Sequence, residues 1–159
     1  MLILLLLRNK METAFIHEKD FSKTRDLIRK NKGKKIVFSS DDDELNRKIL
    51  EKEKIDILLL ILKDRKDRQK QRESGLDHVM AKLAKKNSVV LGINFSEILE
   101  ARGKNKAKIL ARISQNIKIC NKNKLKMVFL KTQERNPYDL KSLGLVLGMP
   151  TWMGWEMRK

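Results

Sequence analysis

The sequence predicts an α/β fold with a parallel sheet, either an open doubly wound sheet or part of a (β/α) barrel. Short apolar runs alternate with longer segments of helical periodicity, which is typical of strands joined by crossover helices. Within each run the apolar residues are nearly continuous, as expected of strands buried on both faces. The chain has 159 residues, so we expect one domain over residues 1–150 and a tail over 151–159. An eight-unit barrel typically takes about 250 residues, so a barrel here would be incomplete.

Five apolar runs are the predicted strands: residues 2–7, 35–39, 56–62, 89–95 and 126–130. The first run could be mistaken for a secretion signal. However, no basic residue precedes it, and Arg8 and Lys10 follow at once. It is also too short to cross a bilayer, so we interpret it as a buried strand.

Five helices are predicted between and after these strands. Ser22 is the expected N-cap of the first, which runs to about Asn31 with Gly33 beyond it. The acidic residues 41–43 suit the positive end of the second helix, and Ser74 is the expected cap of the third. The fourth runs over about residues 105–123, and Pro137 begins the fifth. The predicted inner faces are Leu45, Ile49 and Leu50 for the second helix; Leu76, Val79, Met80 and Leu83 for the third; and Leu110, Ile113, Ile117 and Cys120 for the fourth.

The charge of the chain points to a polyanionic partner. Lys and Arg number 37 against 20 Asp and Glu, which gives a formal net charge of +17. A charge of about 2–8 suffices for solubility, and a larger excess destabilises the folded state by self-repulsion. Nucleic acid is the first candidate partner and an anionic membrane surface the second. A generally basic proteome is the alternative explanation.

The composition argues against several classes of site. Cys120 is the only cysteine, so a disulfide within the chain is impossible and a cytoplasmic setting is expected. His17 and His78 are the only histidines, which disfavours a multi-metal hydrolase centre. Residues 41–43 are interpreted as helix-capping carboxylates rather than as metal ligands. No nucleotide-binding glycine loop is found, so we expect no cofactor, no resident metal and no catalytic residue.

Basic side chains concentrate in one loop and on two helices. Residues 63–73 form a charge run between a strand and a helix, a junction that lies at the carboxyl edge of a parallel sheet. Their phosphate-binding candidates are Arg65, Arg68 and Arg72. The following helix adds His78, Lys82, Lys85 and Lys86, with His78 on the side away from the core, where a structural role and RNA contact are both open. The fourth helix adds Lys104, Lys108, Arg112, Lys118 and Lys122. Aromatic residues are only 5% of the chain, so a folded RNA is a better partner than unstacked single-stranded bases.

Three segments resemble one known family. They are SGLDHVMAKLAKKN with VVLGINFSEIL (residues 74–99), ARISQNIKICNKNKLKMVF (residues 111–129) and RNPYDLKSLGLVLGMP (residues 135–150). Their order and spacing are similar to the ribonuclease P protein component 3 family, although Lys141 stands where that family's last motif has an apolar residue. The resemblance covers roughly the last half of the chain. The first strand–helix units are shortened or missing relative to the family.

The resemblance implies a (β/α) barrel related to metal-dependent phosphoesterases but without their metal centre. It also implies an RNA-binding subunit of ribonuclease P, the enzyme whose RNA removes the 5′ leader from precursor transfer RNA. The implied protein partner is a second, smaller, Pop-five-like subunit, in a heterotetramer. By position, the family's basic functional residues fall on Arg72, His78, Lys86 and Arg135.

Two other functions stay open at this stage: a stand-alone metal-dependent phosphoesterase on the same scaffold, and a peripheral membrane protein. An incomplete barrel would leave sheet edges open. Trp152 and Trp155 would suit a contact that covers such an edge, and a frayed tail is the alternative.

Overall fold

The computed structural model describes residues 12–132 and 135–154 of the chain. In this part, at least one helix follows every strand. The predicted strand at residues 2–7 and Trp155 lie outside the described residues. The elements are β1 (Thr13–His17), α1 (Phe21–Lys30), β2 (Lys35–Ser39), α2 (Asp43–Lys52), β3 (Ile57–Leu60), α3 (His78–Lys86), β4 (Val90–Asn94), α4 (Phe95–Glu100), α5 (Gly103–Lys122), β5 (Met127–Leu130) and α6 (Pro137–Val146).

The strands form one parallel sheet in the order β1-β2-β3-β4-β5. Each strand pairs with the next one along the chain. A doubly wound sheet would reverse its order at a switch point, and no reversal occurs among the described strands. The α/β prediction with a parallel sheet is therefore confirmed. Of the two alternatives, the strand order is that of a (β/α) barrel, represented here by five strands.

The sheet is buried on both faces, as its continuous apolar runs predict. The helices cover one face in a core that includes Phe38, Leu58 and Leu91, each with no exposed surface. The opposite face carries a smaller cluster of Val37, Ile57 and Leu59. Gly92 belongs to this second face, because a Cβ there would lie 3.0 Å from the side chains of both Ile57 and Leu59.

Two helix starts differ from the prediction. The N-cap of α1 is Asp20 rather than Ser22, and the N-cap of α3 is Asp77 rather than Ser74. In both cases the aspartate carboxylate accepts the backbone N–H three residues later. Ser74 instead accepts the N–H of Leu76 in the turn before the helix. The expected acidic start of α2 and the expected start of α6 at Pro137 are confirmed.

Two short elements were not predicted. In β1 only Ile16 is buried, whereas Phe15 and His17 are exposed, so the strand lacks a continuous apolar run. The helix α4 begins at Phe95, which had the pattern of a strand residue. Asn94 ends β4 and caps α4 by accepting the N–H of Ser96, which turns the chain at this point.

The inner faces of α3 and α5 are rotated slightly from their predicted positions. On α3, Val79 is 48% exposed, and Met80, Ala81 and Ala84 are buried. On α5, Ile113, Ile117 and Cys120 are buried as predicted, but Ile109 rather than Leu110 completes the stripe. Met153, in the segment predicted as a tail, is fully buried in the main core.

Candidate nucleic-acid interface

The segment 63–73, called the basic loop below, leaves the carboxyl end of β3 and leads toward α3. It contains six Lys or Arg and three Asp or Glu residues. Residues at this edge of a parallel sheet face the side where ligands of α/β proteins bind. The basic loop therefore lies at the carboxyl edge of the sheet, as the sequence predicts.

Arg112 of α5 holds the base of the basic loop. Its side chain is only 2% exposed. Nη1 donates to the carbonyl oxygen of Leu62 at 2.9 Å, and Nη2 donates to the carbonyl oxygen of Arg65 at 2.7 Å. The same guanidinium donates to the carboxylate of Asp67 at 2.8 Å. The predicted place of Arg112 on an exposed basic face of the helix is wrong, because its helical position turns it toward the loop.

Asp67 completes this anchor. Its carboxylate also accepts the backbone N–H of Glu73 at 3.0 Å, so it ties the two ends of the loop together. The hydrogen bond from Arg112, with that from the backbone of Glu73, holds the pKa of Asp67 below its usual range. The carboxylate form of Asp67 is thus part of the folded loop.

Arg65 is engaged inside the protein. Its two Nη atoms donate to the two oxygens of Asp43 at 2.8 Å each, and its Nε donates to the carbonyl of Ile61. Only 11% of its side chain is exposed. Burial alone would lower the pKa of Arg65, but the paired carboxylate of Asp43 outweighs burial and raises it. The guanidinium therefore has little surface left for a ligand.

Arg68 and Arg72 lie at the exposed tip of the loop. Arg68 is exposed and lies 3.4 Å from the carboxylate of Glu73. The backbone of Arg68 pairs with that of Gln71, which folds the tip back on itself. Gln115 of α5 donates to the carbonyl oxygen of Arg72 at 3.1 Å, so the backbone of Arg72 is fixed while its side chain is exposed.

The predicted basic face of α3 is exposed and adjoins α5. His78, Lys82, Lys85 and Lys86 are all exposed. The Nδ1 atom of His78 lies 3.3 Å from the amide nitrogen of Asn123, which caps the end of α5. Lys85 donates to the carbonyl oxygen of Lys124 at 2.8 Å. Arg72, His78 and Lys85 thus each contact α5 or the residues just beyond its end.

Arg135 is placed elsewhere. It is exposed and lies between β5 and α6, next to the N-cap residue Asn136. Its backbone N–H donates to the carbonyl of Thr132. No described hydrogen bond or ion pair connects it to the basic loop or to α3. The structure also gives no such connection for Lys82 and Lys86 beyond their place on α3.

The acidic residues near this edge serve the fold in different ways. Asp42 caps α2, and Asp43 pairs with Arg65. Glu97 accepts the backbone N–H of Leu62 at 3.0 Å, and burial raises the pKa of this carboxyl. In residues 12–132 and 135–154, no group of three or more His, Cys, Asp or Glu side chains is arranged to hold a metal ion. None of the helices described above has the length and apolar character required to traverse a lipid bilayer.

Three residues with structural roles at this surface were not predicted in those roles: Arg112, Gln115 and Asn123. Each acts through a partner that is distant in sequence. The separation is 45 residues for Arg112 with Asp67 and for Asn123 with His78, and it is 43 residues for Gln115 with Arg72. Helical spacing could have indicated Arg112, because it lies one position before the buried Ile113 and three after the buried Ile109. Polar residues on a buried stripe often have a partner on a neighbouring element.

The comparison with known protein families identifies the chain. The family described as RNase P subunit p30 matches residues 41–158, which is most of the described sheet together with the basic loop. The chain belongs to this family. The resemblance noted on the three sequence segments is confirmed, and the p30 family match begins before the first of those segments.

Relatives in archaea agree with this assignment. The chain is 33% identical over 125 residues to ribonuclease P protein component 3 of Methanocaldococcus jannaschii, covering 74% of this chain and 51% of that protein. It is 29% identical over 119 residues to the protein of the same name in Methanococcus maripaludis strain C7, covering 75% and 48%. The matches therefore span about half the length of these p30-family relatives.

A solved structure supports both the family and the fold. A chain in the cryo-EM structure of archaeal ribonuclease P with mature tRNA superposes with a TM-score of 0.72 and 27% sequence identity. The match covers 90% of this chain and 62% of that chain. The barrel-like α/β architecture implied for this p30-family member is thus shared with a chain of that archaeal ribonuclease P structure.

Proposed function

We propose that this chain is an RNA-binding subunit of ribonuclease P and that it is not itself catalytic. In this proposal it binds the sugar–phosphate backbone of folded ribonuclease P RNA and supports the RNA-catalysed removal of the 5′ leader from precursor tRNA. The observation that carries the proposal is that the exposed residues Arg72, His78 and Lys85 each contact α5 or the residues just beyond its end. Family membership and the net charge of +17 support it.

The proposed contact residues follow from exposure. Arg68, Arg72, His78, Lys82, Lys85 and Lys86 are exposed, and Arg135 would form a separate contact. Arg65 is left out because its guanidinium already binds Asp43 in a bidentate pair. Flexible cations that touch phosphates give affinity without base specificity, so we expect recognition of RNA shape.

The proposed assembly includes a second protein. We infer that a smaller, Pop-five-like subunit joins this chain in a heterotetramer, as the family resemblance implies, and that the complex works in the cytoplasm. The solved relative lies within archaeal ribonuclease P, which supports an assembly with RNA and protein partners.

Reconstitution tests the proposal. The chain, its partner subunit and an archaeal ribonuclease P RNA transcript are combined, and cleavage of precursor tRNA is measured at limiting magnesium. Arg72→Ala with Lys86→Ala should reduce activation roughly tenfold or more, because two phosphate contacts are lost. The matched control is Lys23→Ala with Lys30→Ala, which removes the same charge from the exposed side of α1.

Equal activation by both double variants would contradict the proposed contact residues. A chain that neither binds the RNA nor changes its cleavage rate would contradict the proposed function as a whole. Turnover of a phosphoester substrate by the chain without RNA would favour the stand-alone phosphoesterase instead.

A further inference from the structure

A shallow groove runs between the basic loop and α5. It has a volume of about 390 Å³ and is lined on one side by Lys70, Gln71 and Arg72. The α5 side contributes Ala111, Ser114, Gln115, Lys118 and Ile119. The cationic groove, as we call it, therefore has three cations, three neutral polar side chains and no carboxylate.

The absence of carboxylates distinguishes this groove from other clefts in the described part of the chain. Three other clefts each include three or more Asp or Glu side chains. No carboxylate of the described residues forms an ion pair with Lys70, Arg72 or Lys118. The three cations of the cationic groove repel one another, and an anion between them would relieve that repulsion.

The excess of basic over acidic residues continues in the sequence around α5. Residues 101–132 contain ten Lys or Arg and no Asp or Glu. Lys118 and Lys122 are four residues apart, so they lie on the same side of the helix. Asn123, which reaches His78, also donates to the carbonyl of Ile119 in the groove wall. Asn123 thus links the groove wall at Ile119 to His78 on α3.

The walls of the groove are held in place before any ligand binds. Gln115 donates to the carbonyl of Arg72, and Arg112, one turn earlier on α5, fixes the base of the loop. A groove with fixed walls loses less conformational entropy on binding than one between mobile segments. Ala111 and Ile119 are the two apolar residues of its lining.

We propose that the cationic groove is an RNA-backbone site, in which Lys70, Arg72 and Lys118 contact successive phosphates of one strand. The inference rests on the proposed function and adds to it: α5, through Lys118, becomes part of the interface, and the loop tip and α5 bind the same strand from opposite sides. Gln115 and Ser114 are placed to donate to phosphate or 2′-hydroxyl oxygens.

The test measures binding of a fluorescently labelled archaeal ribonuclease P RNA transcript to the full chain over a series of salt concentrations. The groove variant is Lys70→Ala with Lys118→Ala, which leaves Arg72 in place. Loss of two phosphate contacts should weaken binding roughly 20-fold near 0.15 M salt and lower the slope of log affinity against log salt by about 1.4–1.8. The charge-matched control, Lys23→Ala with Lys30→Ala, should change both quantities much less.

A second variant, Lys70→Arg with Lys118→Arg, keeps the charge and should retain affinity within about twofold. Urea unfolding of each variant establishes that these exposed substitutions leave the fold intact. Equal losses in the groove and control variants would overturn the inference, because bulk charge alone would then explain binding. Wild-type affinity in the groove variant would overturn it too, while leaving the proposed function standing.

Failure of the proposed function has a different signature: the wild-type chain itself would show no salt-dependent affinity for the transcript. Vesicles containing phosphatidylserine provide the last comparison. Binding to these vesicles that depends on Lys70 and Lys118, together with RNA affinity that does not, would overturn the assignment of the groove to RNA.

Discussion

The guanidinium of Arg112 lies 2.8 Å from the carboxylate of Asp67, and this ion pair joins α5 to the base of the basic loop. The same guanidinium donates to the carbonyl oxygens of Leu62 and Arg65. A planar group with fixed donors is suited to such a three-way contact, which a lysine ammonium could not reproduce in the same geometry. The shape of the loop therefore depends on Arg112, which follows the end of the loop by 39 residues in sequence.

Replacement of Arg112 should destabilise the protein strongly. We expect Arg112→Met to lower the free energy of unfolding by about 3–5 kcal/mol, because buried carbonyl oxygens lose their donors. Arg112→Lys should recover only part of the loss. Urea unfolding followed by circular dichroism measures both, with exposed Lys108→Met on the same helix as the control. If Arg112→Met had wild-type stability, the hydrogen bonds of the Arg112 guanidinium would contribute little to the free energy of unfolding.

Gly75 should not tolerate a side chain. Its φ is +71°, and a Cβ would lie 2.5 Å from Nη2 of Arg65 and 2.6 Å from the carboxylate of Asp43. We expect Gly75→Ala to lower the free energy of unfolding by about 2–3 kcal/mol, from backbone strain and from disruption of the Arg65–Asp43 pair. Gly33 has φ +96° with open space around it, so Gly33→Ala is the matched control for backbone strain alone.

Thermal unfolding of the two glycine variants separates the two causes. Gly33→Ala should cost only about 1 kcal/mol. If both variants lose the same stability, the Arg65–Asp43 pair is not what makes Gly75 necessary.

Glu97 should give the protein a distinctive pH dependence. Burial raises the pKa of this carboxyl above its ordinary value of 4.5. Between the ordinary and the raised pKa, the folded state binds more protons than the unfolded state, so stability falls as pH rises through this window. In Glu97→Gln this contribution is absent. The stability of Glu97→Gln relative to wild type should therefore increase as pH rises from 4.5 and level off above the raised pKa.

Chemical denaturation at a series of pH values measures that difference. Exposed Glu100→Gln serves as the control and should track wild type. A constant offset between Glu97→Gln and wild type at every pH would contradict the raised pKa.

Cys120 should be almost unreactive in the folded protein. Burial raises the pKa of its thiol to about 12, and the residue has no exposed surface. Since the thiolate is the reactive form, a thiol reagent at pH 8 should modify Cys120 only when the chain unfolds. Labelling followed by mass spectrometry should show rapid reaction in denaturant and slow reaction without it. Fast labelling under native conditions would indicate local opening of α5.

The fold was largely predictable because its main elements carry local signals. Continuous apolar runs such as residues 35–39 indicate strands buried on both faces, and four of the five predicted strands are present in the described residues. The exceptions are informative. The strand β1 has only Ile16 buried, and α4 shares its first residue, Phe95, with what reads as the end of a strand. In both places the tertiary surroundings, rather than the local pattern, decide the conformation.

The candidate site was predictable in part. Exposed basic residues such as Arg72 and His78 are recognisable from charge and helical spacing. The roles of Arg65 and Arg112 could not be predicted in this way. An arginine side chain can either contact a ligand or form an internal ion pair, and the outcome depends on whether a carboxylate distant in sequence lies nearby in the fold. Asp43 and Asp67 provide those carboxylates. Charge counting therefore overestimates the number of cations available to a ligand.

The anchoring by Arg112 divides the basic loop into two parts with different freedom to change. The guanidinium of Arg112 fixes residues 62–67 by its hydrogen bonds. The tip, around residues 68–72, is fixed to α5 mainly by the hydrogen bond from Gln115. Substitutions at the tip can therefore change which ligand binds without disturbing the sheet. The tip should therefore tolerate substitutions with a smaller loss of stability than residues 62–67, so tip variants can be compared for binding while the fold stays intact.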